Sequence, residues 1–356
     1  MPDQQIGRRS EPTVRPATGD RSAASAGAPS SDARRLADQR IGFIGLGRMG
    51  AAMATNLVHG GCRVVGLIRR RERLAELSAL GLKPTVDITD LFDCAIVVSM
   101  LPDDAAVRQV VLGGGASSPD GLASGLMPQS IHLSMSTIST AAATEMAAEH
   151  ARRGQGYVAA PVFGNPDAAK ARELFVIAAG AAADVERCRP ILDLLGQRTF
   201  VAGAKPAVAN LIKLAGNVMT ATTVEMLGEV LALARKSGID PEQMLDILTA
   251  TMFGSRAQRI YGAKIAAQRY APGGFVFPLA LKDVRLALAE AEAAGVPMPS
   301  VSVVRDRLIT GMARGYGDLD WSALGLLAAE DAGLPRADAI TLEPGPHPIS
   351  GKQGVA

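Results

Sequence analysis

Lys213 stands in an apolar stretch, Leu211-Ile212-Lys213-Leu214-Ala215, with Asn210 three residues before it and Asn217 four residues after it. On a helix these three polar residues share one face. An ammonium desolvated on such a face has a lowered pKa and can exchange a proton near neutral pH. The competing reading is a lysine that lays its stem along an apolar edge and keeps its head in water; asparagines beside it favour a polar pocket.

A second constellation is Gly45-Leu46-Gly47-Arg48-Met49-Gly50, which follows an apolar run at 41–44 and precedes a helical pattern at 51–58. Strand, glycine turn and helix in that order suit a dinucleotide. Gly45 allows the tight turn, Gly47 lets a pyrophosphate reach the backbone, and Gly50 lets the helix pack on the strand, with the helix N-terminus facing the negative charge. A glycine-rich structural turn is the alternative. A further apolar strand at 63–68, returning at the right distance, favours the nucleotide.

That strand ends in Arg69-Arg70-Arg71. An acid at this point would hold the ribose 2′-hydroxyl, whereas arginine accommodates a 2′-phosphate, so the expectation is NADP, with NAD as the alternative. The competing reading makes the arginines a solvated start to the next helix, 71–80. Ser136 and Thr137 lie at a strand exit and could offer hydroxyls to a ligand, whereas Ser139 or Thr140 reads as a helix N-cap. Arg256 and Arg259 could each meet a second carboxylate, but a surface helix arginine is the reading preferred for both.

These residues need elements to hold them. Apolar runs at 94–100, 130–134, 157–160, 174–178 and 198–201 alternate with helical patterns, which predicts an α/β fold with a Rossmann-type, doubly wound, mostly parallel sheet. After Gly203 the pattern changes. From 208 to 236 aliphatic and small residues cover nearly every face, the mark of a buried helix, roughly 40 Å long. Helical patterns at 241–250, 282–294, 300–313 and 321–332 make the second domain all-α. The expected organisation is a disordered tail at 1–38, a nucleotide-binding domain at 39–205, a helical substrate and dimerisation domain at 206–335, and a second tail at 336–356. The long apolar helix, with Ala215, Gly216 and Gly228 permitting close approach, predicts a homodimer.

Across 356 residues, 48% hydrophobic and 20% charged, the net charge is only +2, which gives no basic surface for nucleic acid or an anionic membrane. Cys62, Cys94 and Cys188 are odd in number and far apart, which fits reduced thiols and a cytoplasmic location. His59, His132, His150 and His347 show no ligand spacing, so no metal is expected. The N-terminal stretch has neither the acid-poor composition of a transit peptide nor the apolar core of a secretion signal, and no uncharged run is long enough for a membrane span.

Six segments in order resemble the β-hydroxyacid dehydrogenase family, which includes 3-hydroxyisobutyrate dehydrogenases and semialdehyde reductases. They are FIGLGRMGAAMATNL (43–57), SMLPDD (99–104), SMSTIS (134–139), APVFG (160–164), KLAGN (213–217) and LKD (281–283). The resemblance implies an NAD(P)-dependent oxidoreductase that moves a hydride between the nicotinamide and a small 3-hydroxy acid or its semialdehyde. By position, Lys213 matches the catalytic lysine and Asn217 a substrate-binding asparagine, while Ser136 and Gly164 match the residues that hold the substrate carboxylate. Leu101 and Pro102 match positions lining the cofactor, Lys282 a lysine that closes over it, and Phe275 the aromatic accompanying that lysine. Ile68 replaces an asparagine common in NADP-using members, and Ala159 and Ser134 replace aspartates, which bears on the substrate more than on the chemistry.

The larger relative 6-phosphogluconate dehydrogenase needs a histidine directly after the lysine, where Leu214 stands. An imine or bulky-ketone reductase on the same scaffold remains an alternative, because the stretch 252–262 departs from the simple hydroxyacid enzymes. A non-catalytic nucleotide sensor or interaction module is the alternative of another class, disfavoured by the presence of Lys213.

Overall fold

The computed structural model describes residues 39–115, 118–272 and 274–336. The expected tails lie outside these residues, except Arg336, which donates to Glu330 Oε1 at 2.5 Å and to the Tyr316 hydroxyl at 2.7 Å.

The first half is a twisted sheet built from β1 (Arg40–Ile44), β2 (Arg63–Leu67), β3 (Lys83–Thr85) and β4 (Ile96–Ser99). A hairpin of β5 (Gly113–Gly115) and β6 (Ser118–Asp120) stands apart from it. The sheet continues with β7 (Ile131–Ser134), β8 (Gly156–Ala159), β9 (Val162–Phe163), β10 (Leu174–Ala179) and β11 (Gly196–Gly203). The spatial order is β11-β10-β8-β7-β4-β1-β2-β3, with β9 paired to β10. Every pairing from β3 through to β8 is parallel, whereas β10 runs antiparallel to β8 and β9. All four residues of β4 are buried, as a central strand covered by helices on both faces requires.

Register places the site. Ile44 pairs with Ser99, Ser99 with Ser134, and Ser134 with Ala159. Four strands therefore end level, and the segments at Gly45, Leu101, Ser136 and Ala160 emerge along one edge. Chain order reverses between β1 and β4, the crevice where open α/β sheets bind ligands.

The helix after the glycine turn runs Arg48–His59, so it starts inside the motif, earlier than the apolar pattern implied. The stretch expected as one helix at 71–80 is a 3₁₀ turn, Arg71–Arg73, followed by a short helix, Leu74–Ala79.

The second half is helical: Pro206–Lys236, Pro241–Ala250, Arg256–Ala266, Phe277–Ala293, Pro299–Ala313 and Leu324–Asp331. Proline opens several of these helices, where its missing N–H costs nothing. Arg256–Ala266 was not foreseen as a separate element; a capping box, in which Ser255 and Gln258 bond each other's backbone, sets its start. Leu214, Val218, Val224 and Leu231 of the long helix pack into one core with Phe277, Tyr316, Trp321 and Leu324.

The long helix corrects one expectation. It is not buried all round: Ile212, Met219, Met226 and Leu233, seven residues apart, are 41%, 71%, 44% and 64% exposed. Nor are its glycines reserved for a second chain. A Cβ on Gly228 would lie 2.8 Å from the Gly325 Cα, and one on Gly216 would lie 2.4 Å from the Phe163 ring, so both serve packing within this chain.

Candidate active site

At the glycine turn each predicted task has a structural counterpart. Gly45 has φ +90°, and a Cβ there would meet the Met100 carbonyl oxygen at 2.2 Å. A Cβ on Gly50 would meet the Gly45 carbonyl oxygen at 2.0 Å, whereas one on Gly47 meets nothing within 4 Å. The turn is tight against the neighbouring strand and against the helix, but open at Gly47, where the helix begins with no side-chain cap and no acid in its first turn. That cradle fits an anion.

Beyond the turn, Ile68 is buried and Arg69 and Arg70 are exposed. Both arginines and Arg73 line the cleft, and none of the neighbouring lining residues there, Leu67, Val86, Ile88 and Gln109, is acidic. Arg73 also donates to the Leu46 carbonyl and pairs with Glu76 at 2.8 Å, which ties the turn to the second strand's exit.

At the other end lies a chain of polar contacts. Lys213 Nζ donates to Asn217 Oδ1 at 2.8 Å, and Asn217 Nδ2 donates to Asp283 Oδ2 at 2.5 Å. Asp283 Oδ1 lies 2.7 Å from Lys282 Nζ, which donates to the Thr137 carbonyl at 2.6 Å. Beneath Lys213 the Phe163 ring centroid lies 4.4 Å from Nζ. Burial pulls the Lys213 pKa down to about 8; the Asp283 carboxylate pushes it up and the Lys282 ammonium pulls it down.

Of the residues the sequence pointed to for catalysis, substrate or cofactor, all but Ser136 line one cleft of about 1730 Å³. Gly45, Leu46, Gly47, Arg48, Met49, Gly50, Arg69, Arg70, Leu101 and Pro102 form one end. Thr137, Gly164, Asn217, Lys213, Phe275 and Lys282 form the other. Ser136 is fully buried, and its Oγ accepts from the Leu101 N–H at 2.8 Å, so it sits behind the wall and shapes the Leu101-Pro102 turn. Asn210 shares the helix face of Lys213, but its Oδ1 accepts from the Ile138 N–H at 3.4 Å, away from the cleft. Gly164 has φ +141°, and a Cβ there would lie 2.6 Å from Leu174 Cδ2, so glycine alone gives the open backbone at this point.

Sequence reasoning missed Asp283, Phe163 and Asp320. Asp283 follows Lys282 directly, in a segment already singled out, and its pairing with a helix 66 residues away left no local trace. Asp320 accepts from the Phe275 N–H at 3.0 Å and pairs with Lys264 at 3.1 Å, while Trp321 packs on the Phe275 ring at 4.8 Å between centroids. Arg48 Nη2 donates to the Gly274 carbonyl at 2.8 Å, so the glycine turn touches the segment that carries Phe275.

Comparison with known proteins is decisive for the family. Residues 40–203 match the family described as the NAD binding domain of 6-phosphogluconate dehydrogenase. Residues 208–327 match that described as NAD-binding of NADP-dependent 3-hydroxyisobutyrate dehydrogenase. An uncharacterised oxidoreductase, YfjR, of Bacillus subtilis is 37% identical over 80% of this chain and 98% of its own. The chain belongs to the β-hydroxyacid dehydrogenase family. Glyoxylate/succinic semialdehyde reductase 1 of Arabidopsis thaliana is 31% identical over 80% of this chain and 96% of its own. The crystal structure of 3-hydroxyisobutyrate dehydrogenase from Salmonella typhimurium superposes with a TM-score of 0.72 at 26% identity, covering 82% of this chain and all of that one. As a β-hydroxyacid dehydrogenase, this protein is an oxidoreductase that uses a nicotinamide cofactor and acts on hydroxyl groups of small substrates.

Proposed function

We propose that the enzyme uses NADP to interconvert a small 3-hydroxy acid and its semialdehyde or oxo acid, with Lys213 as general acid and base. The observation that carries this reading is the buried Lys213, with a pKa near 8 and a single asparagine directing its Nζ. Hydride transfer is the chemistry the nicotinamide supplies when bound. Gly47 and the N–H groups at the start of the Arg48 helix would hold the pyrophosphate, and Arg69 and Arg70 the 2′-phosphate.

The chain's own residues do the rest. In oxidation Lys213 Nζ, proton-free, accepts the hydroxyl proton; in reduction Nζ, protonated, returns it to the same oxygen. Asn217 keeps Nζ in place through its Oδ1. Thr137 and the backbone at Gly164 would orient the substrate carboxylate, and Ser136, behind the wall, would hold the Leu101-Pro102 turn through its Oγ. The lysine counts against both the imine-reductase and the non-catalytic sensor readings. Reduction of semialdehydes, 2-oxo acids, bulky ketones and cyclic imines by NADPH, with Lys213→Ala as control, tests this. Turnover of carboxylate-bearing aldehydes that collapses in the variant supports it, and turnover confined to imines or uncharged ketones overturns it.

The stripe of Ile212, Met219, Met226 and Leu233 supports a homodimer along the long helix, since apolar side chains at heptad spacing favour a second helix. A monomeric mass by light scattering would refute it. Buried free thiols at Cys62, Cys94 and Cys188 support a reducing, cytoplasmic setting.

A further inference from the structure

Of the three arginines in the stretch 249–270, Arg269 follows the helix Arg256–Ala266 and lines the cleft, while Arg256 and Arg259 stand in the helix's first turn, where the structure separates their roles. Arg259 is committed: its Nε donates to the Gly254 carbonyl at 3.0 Å and its Nη2 to the Thr249 carbonyl at 2.9 Å, which closes the turn before its own helix. Arg256 lines the cleft. It faces Glu173 Oε2 at 3.6 Å, and both side chains are more than half exposed, so this solvated pair can exchange for another anion.

Position makes that exchange consequential. The Arg256 guanidinium carbon lies 6.0 Å from the Phe175 ring centroid, as Lys213 Nζ lies 4.4 Å from that of Phe163. Phe175 and Phe163 are direct partners across the antiparallel pair of β10 and β9. Directly opposed residues share a sheet face, with Cβ atoms about 5 Å apart. Two cations therefore stand over the rings of directly paired residues in the same cleft.

We propose that Arg256 forms a second anion subsite, so that the preferred substrate is a 3-hydroxy acid whose C2 substituent ends in a carboxylate. The proposal rests on the hydroxyacid reading given above and adds the class of side chain. The reacting hydroxyl meets Lys213, the shared carboxylate meets the Thr137 and Gly164 region, and the distal carboxylate displaces Glu173 from Arg256. A guanidinium can take that carboxylate through two parallel hydrogen bonds, which the 3.6 Å pairing with Glu173 does not provide.

The test uses 3-hydroxypropanoates substituted at C2 with chains of one to three carbons ending in methyl, carboxamide or carboxylate, with NADP⁺ reduction followed for the wild type, Arg256→Gln and Glu173→Gln. Wild type should favour the carboxylate-ended members. In Arg256→Gln that preference over the methyl-ended members should fall about 10- to 100-fold, the value of one charge-assisted contact. In Glu173→Gln it should rise, because the competing acid is gone. A wild type that favours methyl-ended compounds, or a preference unchanged in Arg256→Gln, overturns the subsite while leaving the hydroxyacid reading standing. If the wild type turns over no member, the hydroxyacid reading fails. The subsite is then judged by calorimetry of glutarate and pentanoate binding to the NADP⁺-loaded protein: loss of glutarate affinity in Arg256→Gln upholds it, and equal affinity in the two proteins overturns it.

Discussion

Asn217 bonds Asp283 through its amide nitrogen and Lys213 through its amide oxygen, at 2.5 and 2.8 Å. A carboxylate can only accept and an ammonium can only donate, so the two partners permit a single orientation of the amide. Lys213 is thus aimed by a carboxylate that it does not touch.

The pH dependence of the reaction should report this arrangement. With the Lys213 pKa near 8, kcat/KM for oxidation should rise through about pH 8 to a plateau, and kcat/KM for reduction should fall over the same range. The Asp283 charge favours the protonated lysine, so Asp283→Asn should move both inflections to lower pH. Profiles recorded in both directions check this; an Asp283→Asn enzyme that is slower but has unmoved inflections would confine Asp283 to a structural role.

Cofactor preference should reside at the end of β2. Removing Arg69 and Arg70 together should raise the KM for NADP about 10- to 100-fold, by the strength of charge-assisted phosphate contacts, and change that for NAD little. The ratio of kcat/KM for the two cofactors is the measurement, and an unchanged ratio would return these arginines to solvent.

Gly228→Ala should destabilise the helical half by about 1–3 kcal/mol, the usual cost of overpacking. The new Cβ has a backbone carbon, Gly325 Cα, 2.8 Å away, and no rotamer can relieve that contact. Urea denaturation with an unchanged slope and a lowered midpoint is the expected result.

Acid should unfold the sheet domain through two histidines that have no part in the reaction. Ser99 Oγ meets His132 Nε2 at 2.8 Å, His132 Nδ1 meets His150 Nε2 at 2.9 Å, and His150 Nδ1 meets Gln155 Oε1 at 2.7 Å. Because Gln155 Oε1 can only accept, a chain of neutral rings must donate from Ser99 towards Gln155. Burial lowers the His150 pKa to about 4 and carries that of His132 well below its usual value. Between those values and the unfolded value of about 6.5, the unfolded chain holds more protons, so stability is full at neutral pH and lost as pH falls. For His150 alone the loss by pH 5 is about 2 kcal/mol. Urea midpoints at pH 7 and pH 5 measure it, and His150→Gln should shrink the difference.

Much of this was legible in the chain. The glycine turn, the buried run at 94–100 and the Lys213-Asn217 spacing are local patterns, and each marks its own place in the fold. What escaped was non-local. Asp283 acquires its role from a partner 66 residues away, and Phe163 from a glycine on another element. The exposed side of the long helix escaped because an apolar sequence does not say which of its faces the rest of the chain will cover; Met219 and Leu233 read the same as the buried Leu214 and Leu231. Ser136 carried a resemblance to a ligand-holding residue; its burial and the bond its Oγ accepts from the Leu101 N–H follow from the strand register, which no local pattern records.

The long helix also has a mechanical consequence. Lys213 stands near its start, and Leu233 lies twenty residues further on, about 30 Å along a single rod. That rod is a lever: a small tilt applied at the Leu233 end is delivered undivided to the angle at which the lysine enters the cleft. A second chain gripping the exposed stripe would set the aim of a group it never approaches.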